Sequence, residues 1–337
     1  MVNVLVTGGA GFIGSNYVRH ALAVHGDWKI TNLDKLTYAG RLENLRGVLE
    51  HPRHEFVKGD VADPAVAAPL VADSHLVVHF AAETHVDRSI LAAGAFITTD
   101  VFGTFVLLEA ARHAKTLRRF VQISTDEVYG SVASGSSRES DELRPRNPYS
   151  ASKAGADRLA YSYWATFDVP VLITRASNNY GPCQFPEKII PLFATNAFDD
   201  IPLPLYGDGM NERDWLHVSD HCRALDTVID RGVPGEVYNI GGGNQIRNAD
   251  LTRKILSLAG KPESLIRHVA DRPGHDRRYS LDTEKIRALG WAPQVDFDTG
   301  LAETVAWYRG NDWWWRPIKH QDPAFRAYYE AQYGSRR

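Results

Sequence analysis

The first fourteen residues constrain the fold more than any other stretch of this chain. Val2–Thr7 is a short apolar run of strand character, and Gly8-Gly9-Ala10-Gly11-Phe12-Ile13-Gly14 follows it directly and opens a helical segment. The run fits G-x-G-x-x-G through Gly9, Gly11 and Gly14, and G-x-x-G-x-x-G through Gly8, Gly11 and Gly14. Glycine at these positions allows a tight turn, close approach of a ligand to the backbone, and close packing of helix on strand. The helix start then offers free N–H groups and the positive end of its dipole, which suits the pyrophosphate of a dinucleotide.

Apolar runs at 2–7, 29–33, 55–58, 75–80, 119–124 and 169–174 read as strands, with helix-length segments at 12–25, 95–113 and 148–164 between them. Such alternation builds parallel βαβ units. Continuous apolar strands such as Val4-Leu5-Val6 fit a sheet covered on both faces. The prediction is an α/β fold: a Rossmann-type doubly wound parallel sheet over residues 1–180, with a returning segment near 215–240. Beyond Tyr180, prolines and glycines become frequent, as in Ile201-Pro202-Leu203-Pro204 and Gly207-Asp208-Gly209. Residues 181–214 and 241–320 are therefore expected to form a smaller, loop-rich α/β substrate-binding lobe. The polar stretch 131–147 reads as a surface loop.

Bulk composition narrows the function. A net charge of −3 over 337 residues provides no basic field for nucleic acid or an anionic membrane. Two cysteines, Cys183 and Cys222, cannot build a disulfide framework and fit a reducing cytoplasm. No uninterrupted apolar run reaches the roughly 18 residues of a membrane span, and no signal peptide is evident, so a cytoplasmic location is expected. His217 and His221 flank Asp220 at a spacing reminiscent of metal ligands, but no third ligand motif accompanies them and Ser219-Asp220 reads as a helix start. No metal is expected. Trp313-Trp314-Trp315 is expected to pack onto the second lobe. Apolar faces on the 95–113 and 148–164 segments predict a two-fold homodimer.

Asp34 ends the second strand, 20 residues beyond Gly14. An acidic side chain there accepts hydrogen bonds from ribose hydroxyls and repels a 2′-phosphate, so NAD is favoured over NADP. Asp60 similarly ends the third strand. Asn147-Pro148 reads as an N-cap followed by proline at the first helical position, which puts Tyr149 and Lys153 four residues apart on one helical face. A lysine ammonium lowers the pKa of a nearby phenol, and a tyrosinate takes the proton of a substrate hydroxyl as hydride departs. Asp126 and Glu127 lie at the carboxyl end of the 119–124 strand, the edge where open α/β sheets bind ligands. Oxidising a carbinol acidifies the neighbouring C–H. One carboxylate then serves as base and the other, protonated, hands a proton to a departing hydroxyl. Close carboxyls push their pKa values apart in the required sense.

The chain resembles the dTDP-glucose 4,6-dehydratases of the extended short-chain dehydrogenase/reductase superfamily over roughly residues 2–291. The resemblance rests on Leu33-Asp34-Lys35-Leu36-Thr37-Tyr38-Ala39-Gly40, Ala81-Ala82-Glu83-Thr84-His85-Val86-Asp87-Arg88-Ser89, Ser124-Thr125-Asp126-Glu127, Asn178-Asn179-Tyr180-Gly181-Pro182, Gln184-Phe185-Pro186-Glu187-Lys188 and Asp271-Arg272-Pro273-Gly274-His275-Asp276. It implies that Asp126 protonates the leaving C6 hydroxyl and that Glu127 is the base at C5. It further implies that Tyr149 is the base for C4 oxidation, with Thr125 near O4 and Lys153 supporting Tyr149. The cofactor is expected to touch Gly8, Gly11, Phe12, Ile13, Gly14, Asp34, Lys35, Leu36, Thr37, Asp60, Val61, Phe80, Ala81, Ala82, Thr84, Thr99 and Asn179, besides Tyr149 and Lys153. The nucleotide sugar is expected to meet Thr84, His85, Asn178, Glu187, Lys188, Ile189, Pro204, Tyr206, Arg213, Asn248, Arg272 and His275. Lys188, Arg213 and Arg272 suit its two phosphates on chemical grounds as well. Three positions depart from the family: Asp100 stands where asparagine is usual, Cys183 where tyrosine or arginine is common, and Ile189 where leucine is frequent. The residues leave open thymidine against uridine as the base, a nucleotide-sugar 4-epimerase, and a non-catalytic NAD-sensing protein.

Overall fold

A computed structural model of the chain describes residues 1–334. Twelve strands run in chain order among them: β1 (Val2–Thr7), β2 (Trp28–Asp34), β3 (His54–Lys58), β4 (Leu76–His79), β5 (Arg119–Thr125), β6 (Val171–Ala176), β7 (Asn178–Tyr180), β8 (Leu203–Tyr206), β9 (Glu212–His217), β10 (Val237–Ile240), β11 (Gln245–Arg247) and β12 (Ile266–Val269). Seven of these form one parallel sheet in the order β3-β2-β1-β4-β5-β6-β10. The order reverses between β1 and β4, so a crevice opens beyond the carboxyl ends of those two strands. Alternate residues feed two cores. Val4 and Val6 point to one face with Tyr17, Ile30 and Leu225, and Leu5 points to the other with Val77, Leu107 and Phe120. This two-sided burial explains the unbroken apolar runs and makes the fold the predicted doubly wound α/β sheet.

Local signals place the helices. Asn147 accepts from the Ser150 N–H while the Ser150 hydroxyl accepts from the Asn147 N–H, a complete capping box ahead of Pro148. The Pro148–Phe167 helix buries Ser150, Lys153, Ala154, Ala156, Asp157, Ala160 and Tyr163, spaced to fall on one side. Asp168 ends it in the left-handed region at φ 56°. The Val169 N–H is then bonded to Tyr163 O and Pro170 has no N–H to give, so β6 begins two residues later than the apolar run suggests.

Ala93–Ala111 is one continuous helix, α-helical at both ends and π-helical over Ile97–Phe102. Its 19 residues include an 18-residue stretch of mean hydropathy 1.4, so it is long and apolar enough to cross a membrane by length and composition, and 39% of that stretch is buried. The sequence count missed it because Thr98, Thr99 and Asp100 interrupt the apolar run. Asp100 is itself buried, and Ile97, Phe102 and Phe105 are exposed.

Outside the large sheet, β9 runs between a parallel β7 and an antiparallel β11, and β8 pairs with β12. Three helices, Ile189–Phe198, Asn248–Ala259 and Phe297–Gly310, close a third core around Phe193, Leu251 and Leu301. The terminal tryptophans do more than pack on this lobe. Trp315 Nε1 donates to Tyr308 O, but Trp314 Nε1 donates to Asn44 Oδ1 in the first half of the chain.

Candidate active site

One cavity of about 410 Å³ opens at the sheet's carboxyl edge and runs into the smaller lobe. At its first end, Gly8 sits at φ +71°, where a Cβ would lie 2.6 Å from Ala81 N, and a Cβ on Gly14 would lie 2.3 Å from Gly8 O. Only glycine fits at either place. Gly11 is the N-cap of the Phe12–Val24 helix and makes no side-chain cap bond, so the first turn faces the cavity with its donors uncapped. Asp34 is fixed by two backbone donors, Ala10 N at 2.9 Å to Oδ2 and Leu36 N at 2.8 Å to Oδ1. Burial raises its pKa. Lys35 is ion-paired with Asp60 at 2.6 Å, so its charge is engaged beside Asp34. Gly8, Gly11, Phe12, Ile13, Gly14, Asp34, Lys35, Thr37, Asp60, Val61, Phe80, Ala81, Ala82, Thr84, Thr99 and Asn179 all line the cavity, an arrangement that fits a dinucleotide. Leu36 does not. Its backbone turns to φ +56°, its side chain packs on the sheet core, and only its N–H serves the site, through Asp34.

Thr125, Asp126, Glu127, Tyr149 and Lys153 meet in the middle. Thr125 ends β5 and caps the short 3₁₀ turn Asp126–Tyr129, accepting from Glu127 N at 3.3 Å and donating to Asp126 Oδ1 at 3.2 Å. Asp126 Oδ2 and Glu127 Oε2 are buried with no hydrogen-bond partner among the described residues. Buried acceptors left unpaired are costly and point to a ligand. Burial, then Glu127, then Asp214 hold the Asp126 carboxyl well above the usual carboxylate range, as an acid that keeps its proton. Tyr149 and Lys153 line the same space. Lys153 Nζ donates to Ile123 O at 2.7 Å. The expected lowering of the tyrosine pKa is not met in the chain alone. Burial first, then Glu127, Asp100 and Asp126, raise Tyr149 well above 10, against an opposing hydrogen bond from Thr125.

The far end is lined by side-chain charge. Arg272 pairs with Asp87 at 3.3 Å, and its Nε is buried without a partner among the described residues. Arg213 Nη2 donates to Asp276 O at 2.9 Å, with its guanidinium 4.3 Å over the Tyr279 ring. Lys188 Nζ donates to Thr84 Oγ1 at 3.3 Å, and burial lowers its pKa. Glu187 reaches the wall, but its oxygens hold Arg88 at 2.8 Å and the Tyr38 hydroxyl at 2.8 Å. Thr84, His85, Asn178, Ile189, Pro204, Tyr206, Asn248 and His275 line the same end. His85 stands at φ +86° and Cys183 at +69°, two non-glycine residues in the left-handed half of conformational space.

Among the wall residues, sequence reading gave no site role to Asp87, His221 or Tyr333. Asp87 accepts from the Tyr206 hydroxyl at 3.0 Å as well as from Arg272. These partners lie 119 and 185 residues away in the chain, so no local pattern announces them. His221 bonds Asn179 Oδ1 through Nδ1 at 2.9 Å, while His217 caps the Val218–Arg231 helix by accepting from Ser219 N. The two histidines thus do separate jobs.

The family model of GDP-mannose 4,6 dehydratase matches residues 5–304. A dTDP-glucose 4,6-dehydratase of Streptomyces niveus is 52% identical over 96% of this chain and 97% of its own length. The crystal structure of DesIV, a dTDP-glucose 4,6-dehydratase from Streptomyces venezuelae with NAD bound, superposes with a TM-score of 0.92 at 52% identity, covering 94% of this chain and all of the other. A UDP-glucuronic acid 4-epimerase from Bacillus cereus, in complex with UDP-glucuronic acid and NAD, superposes with a TM-score of 0.87 at 28% identity, covering 92% and 99%.

Proposed function

We propose a specific reaction for this chain, which belongs to the GDP-mannose 4,6 dehydratase family: conversion of dTDP-glucose to dTDP-4-keto-6-deoxyglucose and water, with NAD as cofactor. One observation carries the choice. Two adjacent carboxyls, each with a buried unpartnered oxygen, share the cavity with Tyr149 and Lys153. A 4-epimerase needs the tyrosine and lysine but neither an acid at C6 nor a base at C5.

In this reading the glycine turn and Asp34 would hold NAD, which would supply the hydride acceptor for C4 and the hydride donor for C6. Tyr149 takes the O4 proton, with Thr125 bonding near O4 and Lys153 holding positive charge beside the tyrosine. The C4 ketone acidifies the C5–H, which Glu127 removes. Asp126, kept protonated by its surroundings, gives its proton to the departing C6 hydroxyl. Arg213, Arg272 and Lys188 neutralise the diphosphate. Residues 1–180 with 215–240 hold the cofactor, and 181–214 with 241–320 hold the sugar nucleotide.

Ile97, Phe102, Phe105 and Tyr161 are exposed on the Ala93–Ala111 and Pro148–Phe167 helices, and pairing of these helices across a two-fold axis would cover them. A cytoplasmic homodimer is part of the reading, in keeping with two buried free cysteines.

The test is incubation with dTDP-glucose, and separately with UDP-glucose. A base-labile 4-keto sugar from the first, carrying at C6 the deuterium placed at C4, supports the reading. Epimerised sugar, or no reaction with either nucleotide, sinks it.

A further inference from the structure

We propose that Asp100 is a positioning residue for Tyr149: its carboxylate ties the catalytic helix to the cofactor wall and, by its charge, sets the pH at which the tyrosine ionises. The inference rests on the reading of Tyr149 as the base.

Asp100 lies in the π-helical middle of the Ala93–Ala111 helix and is 1% exposed. Oδ2 accepts from Ser152 Oγ at 2.5 Å, one residue before Lys153, and Oδ1 accepts from Glu83 N at 2.7 Å, inside the cofactor wall. A single carboxylate therefore braces two elements of the active site. The Asp100 backbone carbonyl accepts from Thr104 Oγ1 at 2.5 Å, and Thr104 in turn bonds His79 Nε2 at 3.0 Å. Two donors converging on one side chain call for two acceptor oxygens. An asparagine offers one oxygen, and its NH₂ must then face Ser152, whose hydroxyl is able to accept and already has Tyr149 O as an alternative acceptor at 2.8 Å. The Asn form is thus a folded, uncharged mimic.

The charged groups around the tyrosine come from every element packed on it. Asp126 and Glu127 face it from the turn after β5, Asp100 from the Ala93–Ala111 helix, and Lys153 belongs to its own helix. Lys153 in turn faces Asp100, Asp157 and, from β4, His79, while Glu83 faces Asp100 from the cofactor wall. Burial lifts the Asp100 carboxyl to about 6, against the pull of Lys153, Ser152 and Glu83 N–H. Above that pH its negative charge opposes loss of the tyrosine proton and favours the charged form of Lys153.

Titrating the tyrosinate ultraviolet absorbance of the NAD-loaded protein tests this, each protein being read against its Tyr149→Phe counterpart. Asp100→Asn should move the Tyr149 midpoint to lower pH by about half to one unit. Ser152→Ala removes one brace and leaves the carboxylate, whose charge is complete far below the tyrosine midpoint, so that midpoint should stay near native. Should Asp100→Asn not fold, Asp100→Ser decides, since it removes the charge and keeps a hydroxyl acceptor. An unmoved midpoint in the charge-removing variant, a shift to higher pH, or an equal shift in Ser152→Ala overturns the proposal, as does a Tyr149 that never titrates. No sugar nucleotide is needed, so a wrong substrate leaves this result intact.

Discussion

The two ends of the cavity are built on different principles. The cofactor end is backbone: a glycine turn whose geometry excludes side chains, an uncapped helix start, and an aspartate held by two N–H groups from within two dozen residues. The sugar-nucleotide end is side-chain charge assembled from afar, with Asp87 meeting Arg272 across 185 residues and Arg88 meeting Glu187 across 99. A backbone site tolerates loss of a side chain and rejects an added atom. A charge site tolerates small changes of shape and is damaged by losing one ion. Thr125, Asp126, Glu127, Tyr149 and Lys153 stand at the seam between them.

The seam should show the largest effect. Tyr149→Phe removes the base for oxidation and should cost about 10²–10⁴-fold in turnover, with both ends still binding their ligands. Asp126→Asn should block the later step instead, so reduced nicotinamide absorbance should accumulate on the enzyme. Loss of NAD or sugar-nucleotide affinity in either variant would show that the seam is not separable from the two ends.

Acid should attack the cofactor end. His79 lies beneath it between Thr7 and Thr104, and His221 lies beside Asn179 of the same end. Burial lowers each from 6.5 to about 3. Both are neutral in the folded chain, while the unfolded chain binds their protons below 6.5. Stability is therefore present above that value and falls as pH drops from 6.5 toward 3, by on the order of a few kcal/mol for each histidine. Denaturant unfolding across this range measures it. Replacing either histidine by glutamine should flatten the slope, and a native slope in both variants would mean that carboxylates carry it.

Single replacements distinguish the ends directly. Gly14→Ala sets a methyl against Gly8 O and should weaken NAD binding by about 1–3 kcal/mol, while Lys35→Ala should change it little. Arg272→Ala should raise KM for the sugar nucleotide by roughly 10–100-fold, the size expected for a charged hydrogen bond, and leave NAD affinity alone. Calorimetric titration of each ligand on each variant reads the matrix. An equal loss of both affinities in Arg272→Ala would erase the distinction.

The same contrast explains what the sequence disclosed. The Gly8–Gly14 turn and the Asn147-Pro148 cap act within a few residues of themselves, and Asp34 sits a fixed βαβ step beyond the turn, so their roles are legible from spacing. Leu36 shows what spacing cannot tell: its side chain packs on the core and its N–H serves Asp34. Asp87 stood in a quoted motif without a role, and Tyr333 in none, because their meaning comes from partners brought near by the fold. The start of β6 was misplaced because valine and proline read as strand until the left-handed turn at Asp168 diverts them. Ala93–Ala111 was undercounted because the residue that breaks its apolar run, Asp100, is buried by hydrogen bonds from Ser152 and Glu83.

The smallest effect tests whether the seam depends on its scaffold. Asn147 caps the helix that carries Tyr149 two residues later and Lys153 one turn beyond, and Asp63 caps the Pro64–Ala72 helix on the flank of the cofactor end by accepting from Ala65 N. Each cap satisfies an N–H that the helix itself leaves open. Asn147→Ala should cost about 1 kcal/mol of stability, and Asp63→Ala a comparable or smaller amount. Their kinetic consequences should differ. Fraying the first turn of the Pro148–Phe167 helix moves the phenol relative to Asp126 and Glu127, whereas fraying the other helix moves no reacting atom. We therefore expect a several-fold fall in turnover for Asn147→Ala at temperatures where it remains fully folded, with KM and NAD affinity near native. Asp63→Ala should keep native turnover. Equal turnover in the two variants would mean that Tyr149 is held by the packing of Lys153 and Ser152 alone, with the cap serving only the helix.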